Sequence, residues 1–148
     1  MYLVDTNVLS VSAPTKAKPA DDLIRWMDRN SDYLYLSVIT VAEVEDGIAK
    51  ARREGAHRRS DALAEWLATL LHLYSARVLP LDITAARLLG GLSDRARGLG
   101  HNPGFADLGI AATAAVRGCT VLTRNLRHFN VLGIAAYDPF ASLPIEAG

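Results

Sequence analysis

Residues 1–10 read MYLVDTNVLS, an apolar run that passes directly into Asp5-Thr6-Asn7 before apolar character resumes. A short apolar run bounded by polar residues predicts a buried strand that ends at Asp5. A carboxylate at the end of such a strand either caps the next helix or belongs to a binding site. Both interpretations of Asp5 stay open at this point.

The composition indicates a single globular domain. Half of the 148 residues are hydrophobic, which is enough to bury a core. The 16 basic and 16 acidic residues balance, so any nucleic-acid contact needs a local patch. The single cysteine, Cys119, is expected to be a buried small hydrophobe in a reducing compartment. We expect no targeting segment and no membrane span, and therefore a soluble, cytoplasmic protein.

Strand and helix patterns alternate along the chain. Strands are predicted near residues 2–5, 33–37, 77–79, 119–123 and 135–137, and helices over about 19–30, 39–53, 59–74, 82–97 and 106–117. This alternation predicts an α/β domain with a mainly parallel sheet. We assign residues 1–140 to the domain and expect residues 141–148 to form a frayed tail.

The helix predicted over residues 59–74 has a wide apolar face. The face contains Leu63, Trp66, Leu67, Leu70, Leu71, Leu73 and Tyr74. It is wider than the core-facing arc of an ordinary surface helix, so we expect part of it to meet a partner. Burial on two sides within the same domain is the alternative.

Four polar residues are expected at one edge of the sheet. Asp5 ends the first strand, Glu43 lies in the opening turns of a helix, Asp107 begins the Ala-rich helix, and Asn125 follows the returning strand. Ligands of parallel α/β sheets collect at the edge where the strands end. Three carboxylates and an amide oxygen suit Mg²⁺ or Mn²⁺, which can activate water for attack on a phosphodiester.

Each of these positions also has a simpler interpretation. Asp5 can be an N-cap and Asn125 a turn residue. Glu43 can be a solvated residue beside the core stripe of its helix, although Gly47, one turn on, leaves space beside it. Asp107 shares the most apolar face of its helix, where a carboxylate is costly unless capping or the helix dipole stabilises it.

Other chemistries lack their motifs. The sequence has no Gly-Lys-Ser/Thr phosphate loop and no dinucleotide fingerprint, and its four histidines, at 57, 72, 101 and 128, have no metal-ligand or triad spacing. A phosphatase or phospho-acceptor domain needs a nucleophilic Asp beside a Lys, and the chain has only Lys16, Lys18 and Lys50.

Four short motifs follow one another along nearly the whole chain: LVDTN (3–7), SVITVAE (37–43) with a glycine behind it, AD (106–107) leading into IAATA, and LTRN (122–125). In order and spacing they resemble the PIN-domain ribonucleases, and most closely the VapC-type toxins of bacterial and archaeal toxin–antitoxin pairs. The resemblance implies a PIN-like α/β/α sandwich with a mainly parallel sheet of about five strands.

The resemblance also implies a function. It describes the toxin of a type II toxin–antitoxin system, a Mg²⁺- or Mn²⁺-dependent endoribonuclease that hydrolyses RNA phosphodiester bonds. Asp5, Glu43 and Asp107 match the metal-binding, catalytic acids, and Thr6 or Thr123 would support them through hydroxyl contacts. It further implies a homodimer, an antitoxin that blocks the site, and promoter DNA bound only through the antitoxin. The alternative is a catalytically weak RNA- or antitoxin-binding module.

The sequence departs from the family pattern after the last core strand. Many relatives carry a further acid there, either directly after Thr-Arg or three residues later, and here those positions are Asn125 and His128. An Asn side chain still supplies a carbonyl oxygen but adds no charge. We therefore expect one tight metal ion rather than two, with Asn125 as a supporting residue.

One local basic cluster consists of Lys50, Arg52, Arg53, Arg58 and Arg59. It can hold RNA phosphates, meet an acidic antitoxin segment, or form an ordinary solvated face. These three interpretations stay open.

Overall fold

Five short parallel strands form the centre of the protein in the computed structural model, which describes residues 1–14 and 20–145. They are β1 (Tyr2–Val4), β2 (Leu34–Ser37), β3 (Val78–Leu79), β4 (Thr120–Leu122) and β5 (Ala136–Tyr137). Their order is β3-β2-β1-β4-β5, and all four pairings are parallel. The prediction of a parallel sheet of about five strands is confirmed.

Helices connect the strands. Over the described residues they are α1 (Thr6–Leu9), α2 (Asp21–Arg29), α3 (Val38–Arg53), α4 (His57–Tyr74), α5 (Ile83–Gly98), α6 (Phe105–Arg117) and α7 (Leu126–Asn130). The longer ones match the predicted helices to within two residues. Pro19, predicted to start α2, lies outside the described residues. The sequence did not predict α1 and α7, because four or five residues are too few to show a helical period.

The core lies on both faces of the sheet. Neighbouring residues of β1 point to opposite faces, so Leu3 packs with α5 and α6 while Val4 packs with α1 and α2. A third cluster joins α3 to α4 through Val44, Ile48 and Leu67. The chain is therefore an α/β/α sandwich.

Two local features bring the helices of the site into place. The Ser37 side chain caps α3 by accepting a hydrogen bond from the Ile39 N–H, which fixes the helix start at the end of β2. On α6, a Cβ added at Gly109 would come within 2.9 Å of Ile39 Cγ1. Glycine at this position thus permits a close approach of α6 to α3, and these are the helices that carry Asp107 and Glu43.

The wide apolar face of α4 is divided between two clusters. Leu70 and Tyr74 are buried against α2 and β2, and Leu67 is buried against α3. Burial on two sides therefore explains much of the stripe. Leu71 and Leu73 stay exposed, at 37% and 61%, so a partner contact by α4 is still a prediction.

Three further expectations concern other parts of the chain. Cys119 is buried, and burial raises the pKa of its thiol, as fits a small core hydrophobe. Within the described residues, no helix combines the length and the apolar character needed to cross a membrane. The frayed tail over residues 141–148 remains a prediction, since residues 146–148 lie outside the described range. Within the described part of this segment, Pro144 is buried.

Candidate active site

Asp5 is fixed at the end of β1 by three neighbours. It is only 5% exposed. Its Oδ1 accepts a hydrogen bond from the Thr6 N–H at 2.8 Å, and its Oδ2 accepts one from the Thr123 hydroxyl at 2.8 Å. The Asn7 amide donates a longer one, at 3.3 Å, to Oδ2. Asp5 is thus the N-cap of α1 and also faces the polar edge, so its two interpretations are compatible.

Burial raises the pKa of the Asp5 carboxyl, because a charged group loses its hydration there. The hydrogen bonds from Thr123 and Thr6 lower this pKa again, since they favour the ionised form. The negative charge of Asp107 raises it further, and His128 opposes that effect. Asp5 therefore interacts electrostatically with Asp107, which is far from it in the sequence.

Glu43 reaches the same edge from α3. Its Oε1 accepts a hydrogen bond from the Thr6 hydroxyl at 2.7 Å, and Thr6 Oγ1 lies 3.2 Å from the buried Thr40 hydroxyl. Although Glu43 as a residue is solvent-exposed, partial burial of its carboxyl raises its pKa. The Thr6 hydrogen bond lowers this pKa, and the charges of Asp5 and Asp107 raise it. The three acids therefore share one electrostatic environment.

Asp107 makes a contact that the sequence analysis did not predict. Its Oδ2 lies 2.8 Å from His128 Nδ1, and the two side chains are 26% and 41% exposed. The pair joins the first turn of α6 to α7. The available signal was positional, because residue 128 is one of the two places where the resemblance leads us to expect a further acid. The histidines still show no metal-ligand or triad spacing, and the contact with Asp107 is what the structure adds for His128.

Asn125 lies beside this edge and takes part through its backbone. Its N–H donates to the Thr123 hydroxyl at 3.0 Å, and its carbonyl accepts from the His128 N–H at 3.0 Å. The Asn125 side chain is exposed, and its role as an oxygen ligand stays a prediction. Asn7 has a clearer structural role than the sequence suggested, since its Oδ1 accepts from the Arg124 N–H at 3.2 Å.

The donor set suits a hard cation that keeps part of its hydration. The site offers carboxylates and hydroxyls, with no thiolate. The described hydrogen bonds engage one carboxylate oxygen of each of two acids, Oε1 of Glu43 and Oδ2 of Asp107. Over the described residues, no three His, Cys, Asp or Glu side chains lie close enough to enclose an ion by themselves. Mg²⁺ does not require such a cage, because it commonly binds through one or two carboxylates and retains several waters.

The basic cluster is exposed in the structure. Lys50, Arg52 and Arg53 lie in the last turn of α3, and Arg58 and Arg59 in the first turn of α4. Of these five residues, only Arg59 lines a small cavity of about 180 Å³, and Glu43 lines the same cavity. Among the predicted cationic contacts, the structure thus brings Arg59 toward the acidic edge.

A parallel sheet with three acids at one edge is the arrangement expected of a PIN domain. A model of the PIN domain family matches residues 2–133, so the chain belongs to that family. It is similar to the plasmid stability protein StbB of Pseudomonas syringae pv. tomato, with 37% identity covering 95% of this chain and 99% of that protein. It is also similar to the VapC ribonuclease Y4jK of Sinorhizobium fredii, with 36% identity covering 95% and 98%.

Solved structures confirm the fold. The crystal structure of FitAcB from Neisseria gonorrhoeae has a TM-score of 0.82 and 33% identity, covering 95% of this chain and 99% of that one. The structure of FitAB bound to an IR36 DNA fragment has a TM-score of 0.76 and 31% identity, covering 99% and 100%. The resemblance to PIN-domain proteins is therefore confirmed, and so is the α/β/α architecture.

Proposed function

We propose that this chain is the toxin of a type II toxin–antitoxin system and that it acts as a Mg²⁺- or Mn²⁺-dependent endoribonuclease. The observation that carries the proposal is the meeting of Asp5, Glu43 and Asp107 at one edge of a PIN-domain sheet. The name of the VapC ribonuclease Y4jK supports RNA as the substrate. Carboxylates repel a polyanion, and a cation between the acids and the phosphate would remove that repulsion, which supports the metal-dependent form of the proposal.

One or two of the acids would hold the divalent ion directly and the rest would act through its waters, and the bound ion would neutralise phosphodiester charge and lower the pKa of an attacking water. The protein's own contribution is orientation. Thr123 and the Thr6 N–H fix both oxygens of Asp5, and the Thr6 hydroxyl fixes one oxygen of Glu43. His128 holds one oxygen of Asp107. These contacts engage both oxygens of Asp5 and one oxygen each of Glu43 and Asp107 before substrate arrives, and they orient Asp5 most firmly.

The partners follow from the same family. We infer that the chain binds a cognate antitoxin that blocks the acidic edge, that it forms a homodimer, and that it meets promoter DNA only through the antitoxin. The structure of FitAB bound to a DNA fragment supports DNA binding by a complex of this kind, and contact through the antitoxin alone is part of our proposal. The basic cluster is available for an acidic antitoxin segment or for RNA, since all five residues are exposed.

The decisive test replaces Asp107 with Asn. Asp107→Asn should reduce Mg²⁺-dependent cleavage of single-stranded RNA by at least about a hundredfold and relieve growth arrest, because a charge that stabilises the reaction is removed. Asp46→Asn, which changes an exposed acid on α3, is the matched control and should retain activity. Circular dichroism checks that both variants fold. Full cleavage by Asp107→Asn, or by the wild type in excess chelator, would refute the proposal.

A catalytically weak binding module is the second candidate. It is favoured by Asn125 in place of an acid and by the pairing of Asp107 with His128, which already occupies one carboxylate oxygen. Such a module would bind RNA or antitoxin but show no turnover with either Mg²⁺ or Mn²⁺. A cleavage assay with both ions and a separate binding assay distinguish the two candidates.

A further inference from the structure

A cavity of about 420 Å³ is lined in part by Asp107 and shares no lining residue with the smaller cavity that Glu43 lines. Its walls come from the loop before α6, from the first turn of α6, and from α7. They include His101, Asn102, Pro103, Arg127, His128 and Val131. The volume falls within the range of roughly 300–1,000 Å³ that is usual for small-ligand sites. The acids of the active site need no space of this size.

The lining of this cavity combines cationic and apolar groups. Arg127 and His101 are exposed and supply positive or hydrogen-donating groups, while Pro103 and Val131 supply apolar surface. Helix α6 begins at Gly104, also in the wall, with no side chain capping its first N–H groups. Together with the Arg127 guanidinium, this helix start favours a phosphate, and the apolar wall suits the face of a base.

Asp107 and His128 join the cavity to the active site. Both side chains line the cavity, and His128 Nδ1 lies 2.8 Å from Asp107 Oδ2. A group bound in the cavity therefore lies directly beside one acid of the active site. The ligand that belongs at this distance from a phosphodiester-cleaving site is the neighbouring part of the same polyanion.

We propose that this cavity is a subsite for one unpaired nucleotide flanking the scissile phosphate. The inference rests on the proposed ribonuclease function. Arg127 contacts the phosphate of that nucleotide, and the base packs against Pro103 and Val131 with His101 at the rim. Because a base in a duplex is stacked and paired, only a single-stranded nucleotide can enter, so the subsite selects unpaired RNA at this position.

The histidines make binding directly measurable. The chain has four, of which His101 and His128 line the cavity and His57 and His72 lie on α4. Ribonucleoside monophosphates, titrated at constant pH and constant Mg²⁺, should shift the imidazole proton resonances of His101 and His128 but not those of His57 and His72. Inorganic phosphate is the second probe and should shift them far less. An equal response to inorganic phosphate, or no response to the nucleotides, would overturn the proposal.

A pair of arginine variants tests the phosphate contact. Arg127→Gln should weaken binding of single-stranded RNA in chelator by about tenfold, as expected for losing one charge-assisted hydrogen bond. It should also reduce the slope of log affinity against log salt by about 0.7, the value for one phosphate contact on a single strand. Arg117→Gln, which removes an exposed charge at the other end of α6, should change neither quantity. Equal effects of the two variants would contradict the subsite.

The subsite and the proposed function can fail separately. If wild-type protein cleaves RNA with Mg²⁺ while His101 and His128 do not respond to nucleotides, the subsite is wrong and the ribonuclease function stands. If the histidines respond but no RNA is cleaved with Mg²⁺ or Mn²⁺, the nucleotide site exists and the ribonuclease function is wrong.

Discussion

The two aspartates of the site are held in very different ways. Asp5 is 5% exposed and accepts hydrogen bonds from a backbone N–H and from a hydroxyl that is itself fully buried. Asp107 has a side chain that is 26% exposed, and its described hydrogen bond comes from His128, whose side chain is 41% exposed. Asp5, Thr6 and Thr123 thus form one side of the site, the built-in wall. Asp107 and His128 form the other, partly exposed side, the open wall.

This difference separates two tasks in the proposed cation site. The groups around Asp5 form with the fold, because the end of β1, the start of α1 and Thr123 after β4 position one another. The pairing of Asp107 with His128 depends on two side chains with room to move, so this wall can adjust when an ion or RNA arrives. The built-in wall fixes the position of the Asp5 carboxylate, and the open wall allows the Asp107 carboxylate to move when an ion or RNA binds.

Replacing each aspartate by alanine should give the largest difference between the two walls. Both Asp5→Ala and Asp107→Ala should lose cleavage. In chelator only Asp5→Ala should also destabilise the fold, by about 2 kcal/mol, because α1 loses its cap and the buried Thr123 hydroxyl loses its acceptor. Asp107→Ala should change the free energy of unfolding by less than about 1 kcal/mol, as expected for a partly exposed pair. Urea denaturation measures both values.

The conservative variant Asp5→Asn is the control for that experiment, since Asn keeps an oxygen that can accept the Thr6 N–H. It should lose cleavage while recovering part of the stability. If Asp107→Ala were as destabilising as Asp5→Ala, the distinction between the built-in wall and the open wall would be wrong.

The same distinction explains which site residues the sequence could predict. Asp5, Glu43 and Asp107 follow from topology, because parallel strands bring their ends to one edge whatever the side-chain detail. The Asp107–His128 pair depends on α7, a helix of five residues with no readable period, and on rotamers that join positions 21 residues apart. The cap and ligand interpretations of Asp5 were treated as alternatives, although one carboxylate has enough lone pairs for both.

Removing the histidine of the open wall should have an intermediate effect. His128→Ala should lower Mg²⁺ affinity by about tenfold, since partners that orient a metal-binding carboxylate are typically worth about 10–100-fold. Isothermal titration calorimetry of the free protein measures this without RNA. His128→Asn, which can still donate a hydrogen bond to Asp107, should recover part of the loss, and His72→Ala on α4 serves as the control. Unchanged affinity in His128→Ala would mean that Asp107 needs no orienting partner.

The smallest expected effect concerns Glu43, which accepts a hydrogen bond from Thr6 and interacts electrostatically with both aspartates. Its folded-state pKa is raised above 4.5 by burial and by the neighbouring acids, so in chelator its contribution is most favourable below that value and is lost as pH rises through the folded pKa. Glu43→Gln, which can still accept from Thr6, should therefore raise the melting temperature near about pH 7 by the equivalent of less than about 1 kcal/mol. The gain should vanish at acidic pH.

In excess Mg²⁺ the wild type should instead melt at a higher temperature than Glu43→Gln, because an ion that binds only the folded wild type stabilises it by mass action. Glu45→Gln, an exposed acid on the same helix, controls for the change in net charge. A gain that persisted in saturating Mg²⁺, or that was equally large at acidic pH, would show that Glu43 is not part of a cation-compensated cluster. The reversal with Mg²⁺ would show that the repulsion among the three acids is retained because the bound ion relieves it.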